Sequence, residues 1–439
     1  MVSFLSQMIY NVYIKRKETV RVKLNTKRTI LIGLAFLSIS AFWQMYDTII
    51  PLILRDTSQV GDSFSGVIMA MDNVLALFLL PLFGKLSDRC DTPIGKRMPF
   101  ILTGTILAVA VLLIMPLSNV PGRFPLFVVL LGLVLLSMGI YRSPAVALMP
   151  DVTPKPLRSR ANAIINLMGA LGGVFSLLVI KVLTASGRTN YTPIFVSVAA
   201  FMAIAVLVLF LSVHENKLRA LVPQETDEPS LGGSSKLSPG MKRSLIFILC
   251  SVALWYMGYN AVTTAYSKYF TRMWGDLSGA AGSLMIATVG AVVSYIPVGI
   301  ISSKIGRKRM ILIGVVILAS CFGIMAFVKT FTPFIYVLFV VVGFAWASIN
   351  VNSYPMVVEI SRGSDIGKYT GYYYTFSMAA QIATPVVSGW LLEHAGYHTL
   401  FPYAAIMVAG AFVTMSLVRH GDNRPKKKDS LLEHLDVDD

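Results

Sequence analysis

Three ionisable side chains lie inside long apolar runs of the sequence. Asp47 and Asp72 fall in the first and second runs, and Arg142 falls near the end of the fourth. If these runs cross a membrane, each charge costs about 2.5–3.5 kcal/mol on insertion scales, and such residues are functional candidates. Either carboxylate could bind a proton, because protonation removes the charge that an apolar environment disfavours. The guanidinium of Arg142 could hold a carboxylate or several hydroxyl groups through its fork of donors.

Structural roles compete with these chemical ones. Each aspartate could make a helix-packing hydrogen bond or pair with Arg55, which lies at the end of the first run. Arg142 could instead pair with Glu359, at the end of the tenth run. Lys181 and Lys268 lie near the ends of their runs, so we expect their side chains to extend to the membrane surface.

Neutral polar side chains recur at spacings of three, four and seven residues along several runs, which gives them a common face of a helix. Hydroxyls, amides and aromatic rings with few charges suit a neutral polyol such as a sugar, which stacks on a ring and hydrogen-bonds through its rim. Polar contacts between helices are the competing interpretation for any single residue. The candidates for substrate or cation binding, besides Asp47, Asp72 and Arg142, are Gln44, Asn73, Asn166, Tyr256, Asn260, Trp346, Asn350, Tyr374 and Gln381.

The elements that carry these residues follow from the composition. Only 14% of the 439 residues are charged, against about 25% in an average soluble protein, and 55% are hydrophobic. We therefore predict an all-α polytopic membrane protein. Twelve apolar runs, each long enough to cross a bilayer, are predicted at residues 29–54, 63–86, 99–119, 123–149, 161–186, 192–214, 244–270, 278–303, 309–329, 332–359, 368–393 and 397–418.

The basic residues indicate how these spans are oriented. The net charge is +16, a value that in a soluble protein would suggest nucleic-acid binding. However, 30 of the 38 lysines and arginines lie in the N-terminal arm, in the loops after even-numbered spans or in the C-terminal tail. Lysine-rich and arginine-rich loops stay on the cytoplasmic side of a membrane. The pattern predicts a multi-pass protein of the cytoplasmic membrane, with both termini cytoplasmic and no role in nucleic-acid binding.

The chain divides into two halves that share short, similar sequence motifs. Gly95-Lys-Arg-Met after the second span recurs as Gly306-Arg-Lys-Arg-Met after the eighth, and Pro144 in the fourth span recurs as Pro355 in the tenth. A duplication of six spans predicts two bundles that rock about a central site. The predicted divisions are an N-terminal arm (1–28), a first bundle (29–214), a cytoplasmic linker (215–242), a second bundle (243–419) and a cytoplasmic tail (420–439).

The loop after the second span carries a glycine, an acidic–basic pair, and a second glycine followed closely by an arginine. These residues are Gly84, Asp88, Arg89, Gly95 and Arg97. The arrangement resembles the loop motif of the major facilitator superfamily, and it implies that family's fold of twelve helices in two pseudo-repeats. Such a loop can act as a latch, because its carboxylate can cap backbone N–H groups or pair with an arginine. Part of the motif recurs at Gly306 and Arg307; ordinary loop charge is the alternative interpretation.

A narrower resemblance is concentrated in spans 1 to 5. Its motifs are Ser87-Asp-Arg-Cys90, Arg97-Met-Pro-Phe-Ile101, Pro144-x-x-Ala147-Leu148-x-x-Asp151 and Arg158-x-x-Ala161-Asn162-Ala163. They resemble sucrose transporters within the glycoside, pentoside and hexuronide cation symporters, which implies that Asp151 and Arg158 belong to the cytoplasmic latch. The carboxylates of the sodium-coupled members are replaced here by Ala76 and Leu80, and the span-4 aspartate of the plant transporters by Leu135. The resemblance therefore favours a proton over sodium without identifying its carrier.

Together these features predict a secondary active transporter that moves a small polar solute, a sugar or glycoside, coupled to a proton or, as second choice, a sodium gradient. No phosphate-binding loop for ATP occurs, and we predict no cofactor, no metal site and a monomer in the lipid bilayer. Three alternatives stay open: an exporter of amphipathic compounds, a transporter-like membrane sensor, and a membrane enzyme. The enzyme is disfavoured because the five histidines lie at helix ends or in the tail.

Overall fold

The computed structural model describes residues 24–154, 157–185, 190–220, 238–275, 277–360 and 366–422. All regular secondary structure in these ranges is helical. The first six long helices are α1 (Thr26–Asp56), α2 (Asp62–Arg89), α3 (Met98–Ile114), α4 (Phe124–Val152), α5 (Arg158–Thr184) and α6 (Thr192–Ser212). The second six are α7 (Pro239–Met273), α8 (Leu277–Ile305), α9 (Arg307–Met325), α10 (Phe334–Glu359), α11 (Ile366–His394) and α12 (Leu400–Ser416). Short helices at Met115–Ser118, Glu215–Ala220 and Tyr397–Thr399 adjoin α3, α6 and α12.

The apolar composition of these segments explains why they are long helices. A helix of about 20 residues spans the roughly 30 Å hydrocarbon core of a bilayer, and it satisfies its own backbone hydrogen bonds there. In the part of the chain that the structure describes, eleven helices are long and apolar enough to cross a membrane. The twelfth long helix, α11, has 29 residues but carries more polar side chains along its length. The predicted all-helical, multi-pass membrane architecture is confirmed.

Each set of six helices packs mainly on itself. In the first set α1 packs along α5 and α6, and α3 packs along α4; in the second set α7 packs along α12, and α8 along α10. The two sets meet where α2 contacts α11, where α5 contacts α8, and where α1 contacts α7. The first two contacts are equivalent under the predicted repeat, because a duplication of six helices maps α2 onto α8 and α5 onto α11.

The two ends of the helix assembly are packed differently. We call the end where α1 finishes and α2 begins the Asp62 end, and the opposite end, where α2 finishes and α3 begins, the Arg97 end. Near the Asp62 end α2 and α11 touch backbone to backbone, since a Cβ on Gly66 would lie 2.0 Å from the carbonyl oxygen of Pro385. Between residues 71 and 86, toward the Arg97 end, α2 has no buried residue. The tight packing of α2 is therefore confined to the Asp62 end.

Candidate substrate and coupling site

Asp47, Asp72 and Arg142 lie on three different helices of the first set and interact electrostatically. Asp47 projects from α1, Asp72 from α2 and Arg142 from α4. All three side chains are partly accessible, although none is near the end of its helix. The charge of Asp72 acts on Asp47, and the charge of Arg142 acts on Asp72. The structure therefore brings together the three charges that the sequence singles out, and Arg142 offsets one of the two carboxylates.

Two amide side chains of the first set have defined partners. The backbone N–H and the side-chain Nδ2 of Asn73 both donate to Asp72 Oδ1, at 2.6 and 2.7 Å. Asn73 therefore orients the carboxylate of Asp72. Gln44 donates to Thr48 Oγ1 at 3.4 Å and lies beside Gly173 of α5. Its amide thus lies at the contact between α1 and α5.

Trp43 and Tyr46, which the sequence analysis did not select, lie beside these charges. The guanidinium carbon of Arg142 lies 5.6 Å from the centre of the Trp43 ring, a cation–π distance. The rings of Trp43 and Tyr46 meet edge to face, with centres 5.4 Å apart. Trp43 Nε1 and the Tyr46 hydroxyl are buried without a hydrogen-bond partner among the described residues. Trp43 lies three residues before Tyr46 and four before Asp47 on α1, and this helical spacing was the signal available in the sequence.

The second set of helices presents aromatic rings in place of charges. Tyr259 of α7 stacks on Trp346 of α10, with ring centres 3.7 Å apart and planes inclined by 5°. Tyr256 meets the same indole edge to face at 5.4 Å. The sequence analysis selected Tyr256 and Trp346 but missed Tyr259, which fixes the orientation of the indole. Asn260 lies on the same helix, and its Nδ2 is buried without a partner in the described part of the chain.

The remaining predicted residues lie on α5, α10 and α11. Asn166 lies on α5 and Asn350 on α10. Tyr374 of α11 lies near Tyr354, with ring centres 6.2 Å apart, and Gln381 follows it two turns later. All twelve residues that the sequence proposes for substrate or cation binding are half-buried, neither sealed in the core nor exposed on the outer surface. Partial accessibility of polar side chains in the middle of apolar helices is typical of residues that line an internal cavity.

At the Arg97 end, the predicted latch residues form a charged network. The side chain of Arg97 is buried, its Nε donates to Asp151 Oδ2 at 2.8 Å, and its Nη2 donates to Asp88. Lys96 Nζ lies 3.0 Å from the same oxygen of Asp151. The network joins the end of α2, the start of α3 and the end of α4 within the first set of helices.

The other predicted latch residues of the first half have three different positions. The carbonyl oxygen of Gly84 accepts a hydrogen bond from Arg97 Nη1 at 3.3 Å. Arg89 is exposed at the end of α2 and takes no part in the contacts described above. Arg158 begins α5, and its side chain lies outside the described residues.

The second set of helices repeats the network with fewer charges. Arg307, the first residue of α9, binds Glu359 at the end of α10. Gly306 precedes it with a φ of +95°, and Gly95 has a φ of +119° at the matching turn. Glycine adopts this backbone region without strain. Glu359, which the sequence offered as a partner for Arg142, therefore has a contact with Arg307.

Glu215 is the residue at this end that the sequence analysis missed. It follows α6, is fully buried, and accepts hydrogen bonds from the backbone N–H groups of Lys96, Arg97 and Met98 at 2.9–3.1 Å. These donors are unsatisfied at the start of a helix, so the Glu215 carboxylate caps α3. The first residue of the predicted linker is thus anchored beneath the latch loop. A single acidic residue just beyond a span, in an otherwise basic region, was the only sequence signal.

Lys268 differs from its predicted position. Its ammonium does not extend to the surface but is buried, 2.7 Å from Asp62 Oδ1. Asp62 begins α2 and Lys268 lies near the end of α7, so the ion pair joins the two sets of helices. Tyr397 donates to the other carboxylate oxygen of Asp62 at 2.7 Å. The expectation was wrong because an acidic partner from the other set of helices lies within reach of the lysine.

Arg55 pairs with its neighbour rather than with the aspartates at the centre. Its Nε and Nη2 donate to the two carboxylate oxygens of Asp56, at 2.5 and 3.0 Å, and its Nη1 donates to the carbonyl oxygen of Lys268 at 3.0 Å. Close by, Ser267 Oγ donates to the carbonyl oxygen of Thr48 at 3.1 Å. These contacts hold the end of α1 against α7.

Comparison with known sequences identifies relatives. The family described as MFS/sugar transport protein matches residues 31–402. Solute carrier family 45 member 4 of Mus musculus is 28% identical over 210 residues, which are 43% of this chain and 26% of that protein. Proton-associated sugar transporter A of Homo sapiens is 28% identical over 187 residues, which are 38% of this chain and 25% of that protein. Sucrose transport protein SUT3 of Oryza sativa subsp. indica is 29% identical over 153 residues, which are 30% of this chain and 29% of that protein. The matches thus span less than a third of each relative.

Comparison with solved structures shows the same fold. The nucleoside transporter NupG is 16% identical in sequence, with a TM-score of 0.66. The match covers 89% of this chain and 100% of the NupG chain. The xylose transporter XylE from E. coli, in an inward open conformation, is 15% identical in sequence, with a TM-score of 0.62. The match covers 93% of this chain and 98% of the XylE chain. At 15–16% identity these two likenesses show that the chain shares their fold. Since the family match extends over most of the sequence, the chain belongs to the MFS/sugar transport protein family.

Proposed function

We propose that this protein is a secondary active transporter that carries a sugar or glycoside together with a proton. The division of unlike groups between the two sets of helices is the observation that carries this proposal. Asp47, Asp72 and Arg142 lie on the first set beside the rings of Trp43 and Tyr46, whereas the second set presents the stacked rings of Tyr259 and Trp346. A sugar has an apolar C–H face that an indole can cover and a rim of hydroxyls that charged groups can bind.

The two carboxylates form the proton site in this proposal. When Asp47 and Asp72 are ionised and Arg142 is charged, the group carries one net negative charge, and a single proton makes it neutral. A neutral group is less costly to move through an apolar interior than a charged one. The sugar-loaded protein would therefore reorient readily only after a proton has bound, and the empty protein would return after releasing that proton, which couples substrate movement to the proton gradient. Asn73 would orient the carboxylate of Asp72.

The distribution of lysine and arginine among the loops predicts how the protein is oriented in the membrane. If the Arg97 end is cytoplasmic, as the lysine and arginine distribution predicts, the tightly packed Asp62 end faces outward. The two sets of helices would then rock about the central residues, and the charged networks at each end would form and break in turn. The names of two relatives, a sucrose transport protein and a proton-associated sugar transporter, support the substrate class and the coupling ion.

Uptake into proteoliposomes tests the proposal. Purified protein is reconstituted and offered a panel of monosaccharides and disaccharides under an imposed proton gradient, with a sodium gradient of equal size in parallel. We expect the proton gradient to drive at least one sugar above its equilibrium concentration, and a protonophore to abolish that accumulation. Asp47→Asn should abolish accumulation but keep the exchange of labelled for unlabelled sugar, because exchange needs no net proton movement.

The matched control is Asp91→Asn, which removes an exposed carboxylate outside the central site. This variant should accumulate sugar like the wild type. If neither gradient drives any sugar, the proposal fails. Movement of amphipathic compounds in place of sugars would favour an exporter, and sugar binding without movement would favour a sensor.

A further inference from the structure

We propose that Asn260 donates a hydrogen bond from its Nδ2 to one oxygen atom of the sugar, and so sets which hydroxyl position the protein recognises. The inference rests on the proposed function and adds a recognition residue to it. Asn260 lies on α7 directly after Tyr259, whose ring stacks on Trp346. The donor therefore lies beside the rings on which the sugar would stack.

The amide of Asn260 has an unused donor. Its Nδ2 is buried and has no hydrogen-bond partner among the residues that the structure describes. The hydroxyls of Thr263 and Thr264, by contrast, donate to the backbone carbonyl oxygen of Asn260, at 3.3 and 2.7 Å. A buried N–H group without an acceptor costs free energy, and native proteins keep few of them. An oxygen atom brought by the substrate would recover this cost.

Asn260 lies away from the closely packed Asp62 end. Near that end, Ser267 Oγ of α7 donates to the carbonyl oxygen of Thr48 of α1, at 3.1 Å. Asn260 precedes Ser267 by seven residues, which is about 10 Å along a helix, in the direction of the Arg97 end. Its side chain is half-buried, like those of the other candidate binding residues. This placement puts the amide at the level where a central site would hold a substrate.

The internal repeat gives Asn260 a counterpart in the first set of helices. Counted from the residues that cap α1 and α7, Asn25 and Ser238, Asn260 occupies the position that Asp47 has in α1. An amide has nearly the shape of a carboxylate, but it stays neutral and can donate, whereas an ionised carboxylate only accepts. One position of the repeat would therefore bind the proton in the first set and the sugar in the second.

A donor on the protein requires an acceptor on the sugar. A site that hydrogen-bonds a substrate hydroxyl rejects the analogue that lacks it, because the buried donor is then left unpaired. Replacing the recognised hydroxyl with hydrogen removes the acceptor. Replacing it with fluorine leaves a weak acceptor that cannot donate. The two replacements therefore distinguish a protein group that donates from one that accepts.

Sugar binding to the purified full-length protein in detergent tests the proposal. The probes are sucrose and methyl glucoside, each with its monodeoxy and monodeoxyfluoro derivatives, in competition with the labelled parent sugar. Asn260→Leu removes the donor but keeps a side chain of similar size. Asn190→Leu is the matched control, because it removes an exposed amide just before α6, outside the central site. Thermal unfolding of each protein is measured without sugar.

We expect one hydroxyl position to depend on Asn260. In the wild type and in Asn190→Leu, the deoxy analogue at that position should bind about tenfold more weakly than the parent sugar, and the fluoro analogue about threefold. Asn260→Leu should bind the parent about tenfold more weakly and should no longer distinguish it from that deoxy analogue. Since Nδ2 has no partner without sugar, Asn260→Leu should unfold at no lower temperature than the wild type.

Three results would overturn the proposal: Asn260→Leu keeps the hydroxyl preference, the fluoro analogue binds as weakly as the deoxy one, or Asn260→Leu unfolds at a lower temperature. If the wild type binds neither probe, the inference fails together with the sugar specificity of the proposed function. If sugar accumulates while Asn260→Leu keeps the preference, only the inference fails. If the preference depends on Asn260 but no gradient drives uptake, the inference stands and the proposed coupling fails.

Discussion

The two sets of six helices are alike at the Arg97 end and unlike in the middle. Each has a glycine with positive φ before its third helix, and each binds an arginine there to a carboxylate at the end of its fourth helix. In the middle, the first set carries three ionisable side chains, whereas the second carries stacked aromatic rings. Under the proposed function, similar ends suit two bodies that move in the same way, and unlike middles allow one body to bind the proton while the other orients the sugar.

The likeness of the ends extends to the residues that cap the third helices. Glu215, just after α6, accepts from three backbone N–H groups at the start of α3. Asp422, just after α12, accepts from the backbone N–H of Lys308 at the start of α9, at 2.9 Å. In both halves, a carboxylate beyond the sixth helix stabilises the start of the third. Glu215 is buried, however, and Asp422 is exposed.

Removing the positive charge from the first set should have the largest effect. Arg142→Gln leaves Asp47 and Asp72 with two negative charges, so two protons are needed to neutralise the site. We expect sugar uptake to fall by about 30–140-fold, since losing one partner of such a charge group costs roughly 2–3 kcal/mol. The initial rate should also depend on a higher power of the proton concentration. Initial uptake rates measured over a series of external pH values test both expectations.

Arg142→Lys is the control for that change. It keeps the positive charge but loses the planar group that lies over Trp43. We expect a loss of about tenfold or less, with the wild-type dependence on proton concentration. Equal losses in the two variants, with the same proton dependence, would show that the charge of Arg142 does not balance the two aspartates.

A change in the second set should have a smaller and different effect. Trp346→Ala removes the ring that Tyr259 orients, and aromatic contacts contribute about 0.5–1.5 kcal/mol beyond their buried area. We expect the sugar concentration for half-maximal uptake to rise about tenfold, with an unchanged dependence on protons. Trp346→Phe, which keeps an aromatic face, should show a smaller rise. If the uptake rate of Trp346→Ala depended differently on proton concentration, this would contradict the proposal that the first set binds the proton and the second set binds the sugar.

The sequence was sufficient for features that depend on one short segment at a time. The cost of polar groups in a bilayer acts on each run of about 20 residues separately, so the helices and the charges within them, Asp47 and Asp72, could be predicted. The Asp62–Lys268 ion pair could not be predicted, because its two residues lie 206 positions apart and each has an ordinary local sequence. The same holds for Glu215, whose partners lie more than a hundred residues earlier. Contacts between distant helices depend on packing angles that local patterns do not carry.

The smallest expected effect concerns the two capping carboxylates, and it is an effect on stability. Glu215→Ala leaves three backbone N–H groups without their acceptor, those of Arg97 and Met98 being buried, and should lower the free energy of unfolding by about 1–2 kcal/mol. Asp422→Ala should lower it less, because its single N–H partner can turn to water at an exposed position. Thermal unfolding of the two purified variants in the same detergent measures the difference. An equal or reversed order would mean that the exposed cap contributes as much as the buried one, and the likeness of the two ends would then extend to their energetics.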